Sequence, residues 1–110
     1  MTTYFAQNWI DGAFVSSTKH SASINPATCD VIGKYVDDGG PAAAAAIDAA
    51  ARAFRGSEWA HDAELRARVL DQMAAAIEGN SERLINILAL ENGKVRSEAA
   101  LEVSAAPNKL

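Results

Sequence analysis

A chain of 110 residues with a formal net charge of −4 has room for one small domain or for part of a larger one. The acidic balance argues against a nucleic-acid-binding protein, which would carry a basic patch. The sequence has neither an apolar run of about 18 residues nor a basic and then apolar N-terminus, so we expect no membrane segment and no signal peptide. The single cysteine cannot form an internal disulfide, which fits the reducing cytoplasm, the location we expect.

Residues 1–37 predict two short β-hairpins. Asp11-Gly12 lies between two short apolar runs, and this is a strong hairpin signal because both turn residues need a positive φ. Asn25-Pro26 ends an extended segment, since the residue before proline is pushed into the β region, and the turn after it leads into the β-rich run 31–36. Isolated two-stranded hairpins are only marginally stable in water, so we expect both hairpins to pack against other elements.

Residues 41–110 predict a helical layer of about four helices. The first helix covers about residues 41–54, with Pro41 as a first helical residue and an i,i+4 ion pair between Asp48 and Arg52. Its apolar side chains Ile47, Ala51 and Phe54 share one face. The predicted fold class is therefore α/β, and more narrowly α+β within these 110 residues, since the strands come first and the helices follow.

Three further helices follow. The second begins near Asp62, which can cap it, and ends near residue 78. The third covers about residues 81–92 and ends at Asn92-Gly93, because glycine adopts a left-handed C-terminal turn without a Cβ penalty. The fourth begins near Arg96 and is broken or bent at Pro107. The apolar residues of the third helix point in too many directions for a one-sided surface helix, so most of its circumference must be covered. They are Leu84, Ile85, Ile87, Leu88 and Leu90.

Titratable residues offer no complete active site. A nucleophilic cysteine needs a base or a positive microenvironment, whereas Cys29 stands in a turn beside the acidic Asp30, so it is interpreted as a turn residue. His20 and His61 have no ligand at metal-binding spacing and are interpreted as surface or capping residues. Glu98 and Glu102 lie one helical turn apart, which favours a solvated or salt-bridged face over a catalytic pair.

Glu91 lies in the last turn of the third helix, where the helix dipole disfavours an acid. Two interpretations stay open from the residues alone. The carboxylate meets a lysine or an arginine, or it joins the free carbonyls at the helix end in an oxygen-rich corner that attracts a hard cation.

Several short motifs follow one another in order along essentially the whole chain: residues 8–12, 24–28, 31–33 and 49–54, then Trp59, Arg66, residues 90–94, Glu98-Ala99 and Glu102-Val103. Each motif is weak alone, but their order and spacing together resemble the aldehyde dehydrogenase superfamily. The resemblance assigns residues 1–110 to the N-terminal portion of an NAD(P)-binding domain, in a truncated chain.

The resemblance implies an enzyme that oxidises an aldehyde to a carboxylic acid with NAD or NADP. In that family a cysteine attacks the aldehyde, hydride passes to the nicotinamide, and a glutamate activates the hydrolytic water. These groups, and the cofactor contacts, follow later in the family than the last residue of this chain. No catalytic or cofactor-binding residue is therefore assigned here, and the chain alone is expected to be inactive. Cys29 occupies a turn position where the family usually has glycine.

The expected partners are the remainder of the enzyme, further subunits of a homo-oligomer and an aldehyde substrate, with no nucleic acid and no membrane. The resemblance also implies a structural monovalent cation, held by the backbone carbonyl of Ile24 and the side chain of Glu91. The alternative function is a non-enzymatic helical module that binds a partner or associates with itself.

Overall fold

The computed structural model describes residues 4–110, so the first three residues of the predicted 1–37 hairpin region lie outside the described residues. Within 4–110 the architecture is mixed α/β, with both predicted hairpins and four α-helices. Contacts divide the chain into two units, which we call unit 1 (residues 4–24 and 31–61) and unit 2 (residues 25–30 and 62–110). The strands are β1 Tyr4–Ala6, β2 Asn8–Ile10, β3 Ala13–Val15, β4 His20–Ile24 and β5 Val31–Val36. The helices are α1 Gly40–Gly56, α2 Ala63–Gly79, α3 Ser81–Asn92 and α4 Arg96–Ala105.

The first hairpin of unit 1 forms as the sequence predicts. Strands β2 and β3 pair antiparallel, with Trp9 opposite Phe14. Asp11 and Gly12 make the two-residue turn with φ values of 54° and 79°, the positive pair that matches the twist of the flanking strands.

The second hairpin forms one side of a three-stranded sheet in the order β1-β5-β4. Strands β4 and β5 pair antiparallel, and β1 adds to the other edge of β5 in parallel, with Tyr4 opposite Gly33. Strand β1 has no counterpart among the elements that the sequence predicts. A parallel partner 29 positions away leaves no turn signal in the sequence, and a strand of three residues gives almost no periodicity.

Helix α1 packs within unit 1 through alanine rather than through its larger side chains. Ala49 is buried, whereas Ile47 and Phe54 are 68% and 58% exposed. The predicted Asp48–Arg52 ion pair does not form, because the Arg52 guanidinium lies 3.0 Å from the Asp11 carboxylate in the hairpin turn. The guanidinium thus joins α1 to the β2–β3 turn, and the i,i+4 prediction was wrong at this position.

Unit 2 contains the connected apolar core of the described residues. Asp62 caps α2 as predicted, since its side chain accepts a hydrogen bond from the Leu65 backbone N–H at 2.8 Å. Helices α3 and α4 bury Ile85, Ala99 and Val103 between them, with half-buried neighbours around this cluster. A short 3-10 turn, Pro107–Lys109, follows α4, as expected for a helix interrupted by proline. Among residues 4–110, no helix has both the length and the apolar character needed to cross a membrane.

Candidate functional site at the end of helix α3

The C-terminal end of α3 lies against the turn that connects β4 to β5. Gly93 follows the last residue of α3 with φ 64° and ψ 22°, the left-handed conformation that the Asn-Gly pair predicts. A Cβ added at Gly93 would lie 2.9 Å from the Cγ atom of Pro26. Two features therefore favour glycine at this position: the left-handed backbone conformation and the close approach of the proline ring.

Backbone hydrogen bonds close the turn that carries Pro26. The Asn25 N–H donates to the Asp30 carbonyl at 2.9 Å, and the Cys29 N–H donates to the Asn25 carbonyl at 2.8 Å. The Asn25 side-chain oxygen accepts a further bond from the Ala27 N–H at 2.9 Å, which is the Asx arrangement typical of asparagine in turns. These bonds hold the proline ring in place against the end of α3.

Cys29 is exposed and has a φ of 63°. Only glycine adopts this region without a steric cost, so the position is one where glycine would fit better than cysteine. The geometry agrees with the interpretation of Cys29 as a turn residue.

Charged side chains join α3 to the start of α4. The Arg96 guanidinium pairs with the Glu82 carboxylate at 2.5 Å and donates to the Asn86 side-chain oxygen, so one residue of α4 reaches two successive turns of α3. Lys94 pairs with Glu102. The spacing of Glu98 and Glu102 favours a salt-bridged or solvated helix face, and the Lys94–Glu102 pair confirms this for Glu102.

Glu91 lies on the exposed side of the last turn of α3. It contributes to the wall of an apolar groove in unit 2 with a volume of about 350 Å³. The other lining residues come from α2, α3 and the end of α4: Ile77, Leu84, Ile87, Leu88, Val103 and Ala106. The apolar face of α3 is thus only half-buried within unit 2, although the sequence predicts that most of this helix is covered.

Ile24, the other predicted cation ligand, is the last residue of β4 and lies opposite Val31 at a register shift in the β4–β5 ladder. It belongs to unit 1, whereas Glu91 belongs to unit 2. The shared cation stays a prediction.

The histidines lie in the structural settings that the sequence suggested. His20 opens β4, and its ring meets that of Phe5 edge-on at a centroid distance of 5.3 Å. His61 ends the short 3-10 turn Glu58–Ala60, and its N–H donates to the Glu58 carbonyl at 2.9 Å. Among residues 4–110, no three His, Cys, Asp or Glu side chains are grouped so that they could hold a metal ion.

The contact between Gly93 and Pro26 is the feature of this site that sequence reasoning missed. Each residue was recognised as a local signal, Gly93 as a helix end and Pro26 as a turn. No local pattern indicates that two such signals 67 positions apart lie against each other.

Comparison with known proteins defines the class. A sequence model of the aldehyde dehydrogenase family matches residues 14–110, and the chain belongs to that family. This confirms the resemblance that the ordered motifs suggested.

Individual relatives make the similarity more specific. The chain is 35% identical to succinate-semialdehyde dehydrogenase [NADP(+)] 2 of Schizosaccharomyces pombe, over 90% of this chain and 20% of that protein. It is 37% identical to N-succinylglutamate 5-semialdehyde dehydrogenase of Escherichia coli, over 100% of this chain and 21% of that protein. The chain therefore spans about a fifth of the length of these relatives.

A solved structure confirms the fold. The chain superposes on betaine aldehyde dehydrogenase from Staphylococcus aureus, in complex with NAD+, with a TM-score of 0.86 and 30% identity. The match covers 93% of this chain and 21% of that structure. The mixed α/β arrangement of residues 4–110 is thus part of the aldehyde dehydrogenase fold.

Proposed function

We propose that the protein carrying this chain is an NAD(P)-dependent dehydrogenase that oxidises an aldehyde to a carboxylic acid. The observation that carries the proposal is the family match over residues 14–110. Both curated relatives are named as semialdehyde dehydrogenases, one of them with NADP(+), and the superposed S. aureus enzyme is described with NAD+. These names support an aldehyde as substrate and either nicotinamide cofactor as hydride acceptor.

Within that enzyme we assign residues 1–110 to the N-terminal portion of the NAD(P)-binding domain, with a structural role. The family resemblance assigns the cofactor contacts to later sequence, so none is proposed on these residues. Cys29 lies exposed in a turn between Thr28 and Asp30, so neither of its sequence neighbours is the base or cation that activates a nucleophilic thiol. No step of the reaction is assigned to the side chains described here.

The first test of this proposal is to sequence the DNA downstream of the codon for Leu110. A continuation with a Rossmann-type pattern and a later cysteine supports the proposal, and a continuation that lacks both contradicts it. The second test follows the absorbance of reduced cofactor when NAD or NADP is mixed with aldehydes. We expect turnover from the complete protein and none from the purified 110-residue chain, because the cysteine and glutamate of the family are missing from it. Turnover by the 110-residue chain would contradict its structural role.

We also propose that the remainder of the enzyme and further subunits of a homo-oligomer are the partners of this chain, in the cytoplasm. Large apolar side chains are exposed in both units, and the adjacent Trp9 and Phe14 rings support partners of this kind, because contiguous exposed apolar surface marks interaction sites. Examples are Trp9, Phe14, Ile47, Phe54 and Leu101.

The same exposed side chains favour a second candidate function, a helical module that binds a partner or associates with itself. Purification of the 110-residue chain tests it. We expect loss of structure or aggregation, because the hairpins lack neighbouring strands. A soluble monomer with a cooperative thermal transition would contradict both the need for a partner and the assignment of the chain to a larger domain.

The structural monovalent cation remains a proposal that rests on the family resemblance. Replacement of Glu91 by Gln removes the charge and keeps the shape, and Glu98→Gln is the matched control on α4. In the complete enzyme we expect Glu91→Gln to raise hydrogen exchange in residues 24–26 and to leave kcat largely unchanged, since the site would be structural. Equal exchange in the two variants would overturn the proposal.

A further inference from the structure

We draw no further inference here: the strongest candidate, the apolar groove of unit 2 between α2, α3 and the end of α4, carries nothing because nothing in the structure shows what covers it.

Discussion

Unit 1 and unit 2 each bury three apolar side chains among the described residues, but they arrange them differently. Unit 2 has a connected core in which Ile85, Ala99 and Val103 contact one another and a ring of half-buried neighbours. In unit 1 the buried side chains Ile32, Val36 and Ala49 lie on β5 and α1, while Trp9 and Phe14 of the first hairpin pack edge-on at 4.7 Å and remain 62% and 66% exposed. The first hairpin of unit 1 therefore buries little of its aromatic surface, whereas α3 and α4 of unit 2 pack around one cluster.

The difference has an energetic consequence. Buried apolar area contributes roughly 25 cal/mol per Å² to folding, so half-exposed aromatic side chains supply only part of what they could. Each unit nevertheless contains a glycine that another segment approaches too closely for a Cβ atom to fit. These are Gly33 against Tyr4 in unit 1 and Gly93 against Pro26 in unit 2. These two glycines allow the comparison to be tested directly.

The largest effect is expected at Gly93 in unit 2. In Gly93→Ala, the left-handed backbone and the contact with the Pro26 ring together should cost roughly 2–5 kcal/mol of unfolding free energy. Gly79→Ala is the matched control, because a Cβ at Gly79 would meet nothing within 4 Å. In the complete protein, thermal unfolding and hydrogen exchange of residues 25–30 and 81–92 measure the effect. Equal stability of the two variants would show that the proline contact is not a determinant of unit 2.

A smaller effect is expected at Gly33 in unit 1. A Cβ there would lie 2.7 Å from the Tyr4 backbone oxygen, and this oxygen can move only if β1 moves with it. Gly33→Ala should therefore cost about 1–3 kcal/mol and should loosen β1 from β5. Gly56→Ala, at a position with open space, is the control. Rapid exchange at residues 4–6 in the Gly33 variant alone is the expected result, and unchanged protection there would contradict the role of β1 in unit 1.

The local elements of both units could be predicted because their signals are local. The positive φ values at Asp11 and Gly12, the Asp62 cap and the end of α3 at Gly93 all follow from adjacent residues. The strand β1 and the contact between Gly93 and Pro26 could not be predicted, since each joins residues that are distant in sequence.

Side-chain partners were harder to predict than backbone elements. Spacing alone favoured Asp48 as the partner of Arg52, but the hairpin turn brings Asp11 to the same guanidinium. An i,i+4 pair contributes only about 0.2–0.5 kcal/mol, so any tertiary alternative of similar strength can replace it. The large side chains Ile47 and Phe54 also did not identify the packed face of α1. Ala49 is buried there instead, because a small side chain allows closer approach.

The smallest expected effect tests which partner Arg52 has. Both side chains of the Arg52–Asp11 pair are exposed, at 60% and 69%, so Arg52→Met should cost only about 0.2–0.5 kcal/mol. Arg55→Met on the same helix controls for loss of a positive charge. A double-mutant cycle by denaturant unfolding should give measurable coupling between Arg52→Met and Asp11→Asn, because asparagine keeps the turn and loses the charge. The cycle with Asp48→Asn should give none. Coupling to Asp48 instead would mean that α1 is stabilised within itself, and that the hairpin turn of unit 1 is not held to the helix through this ion pair.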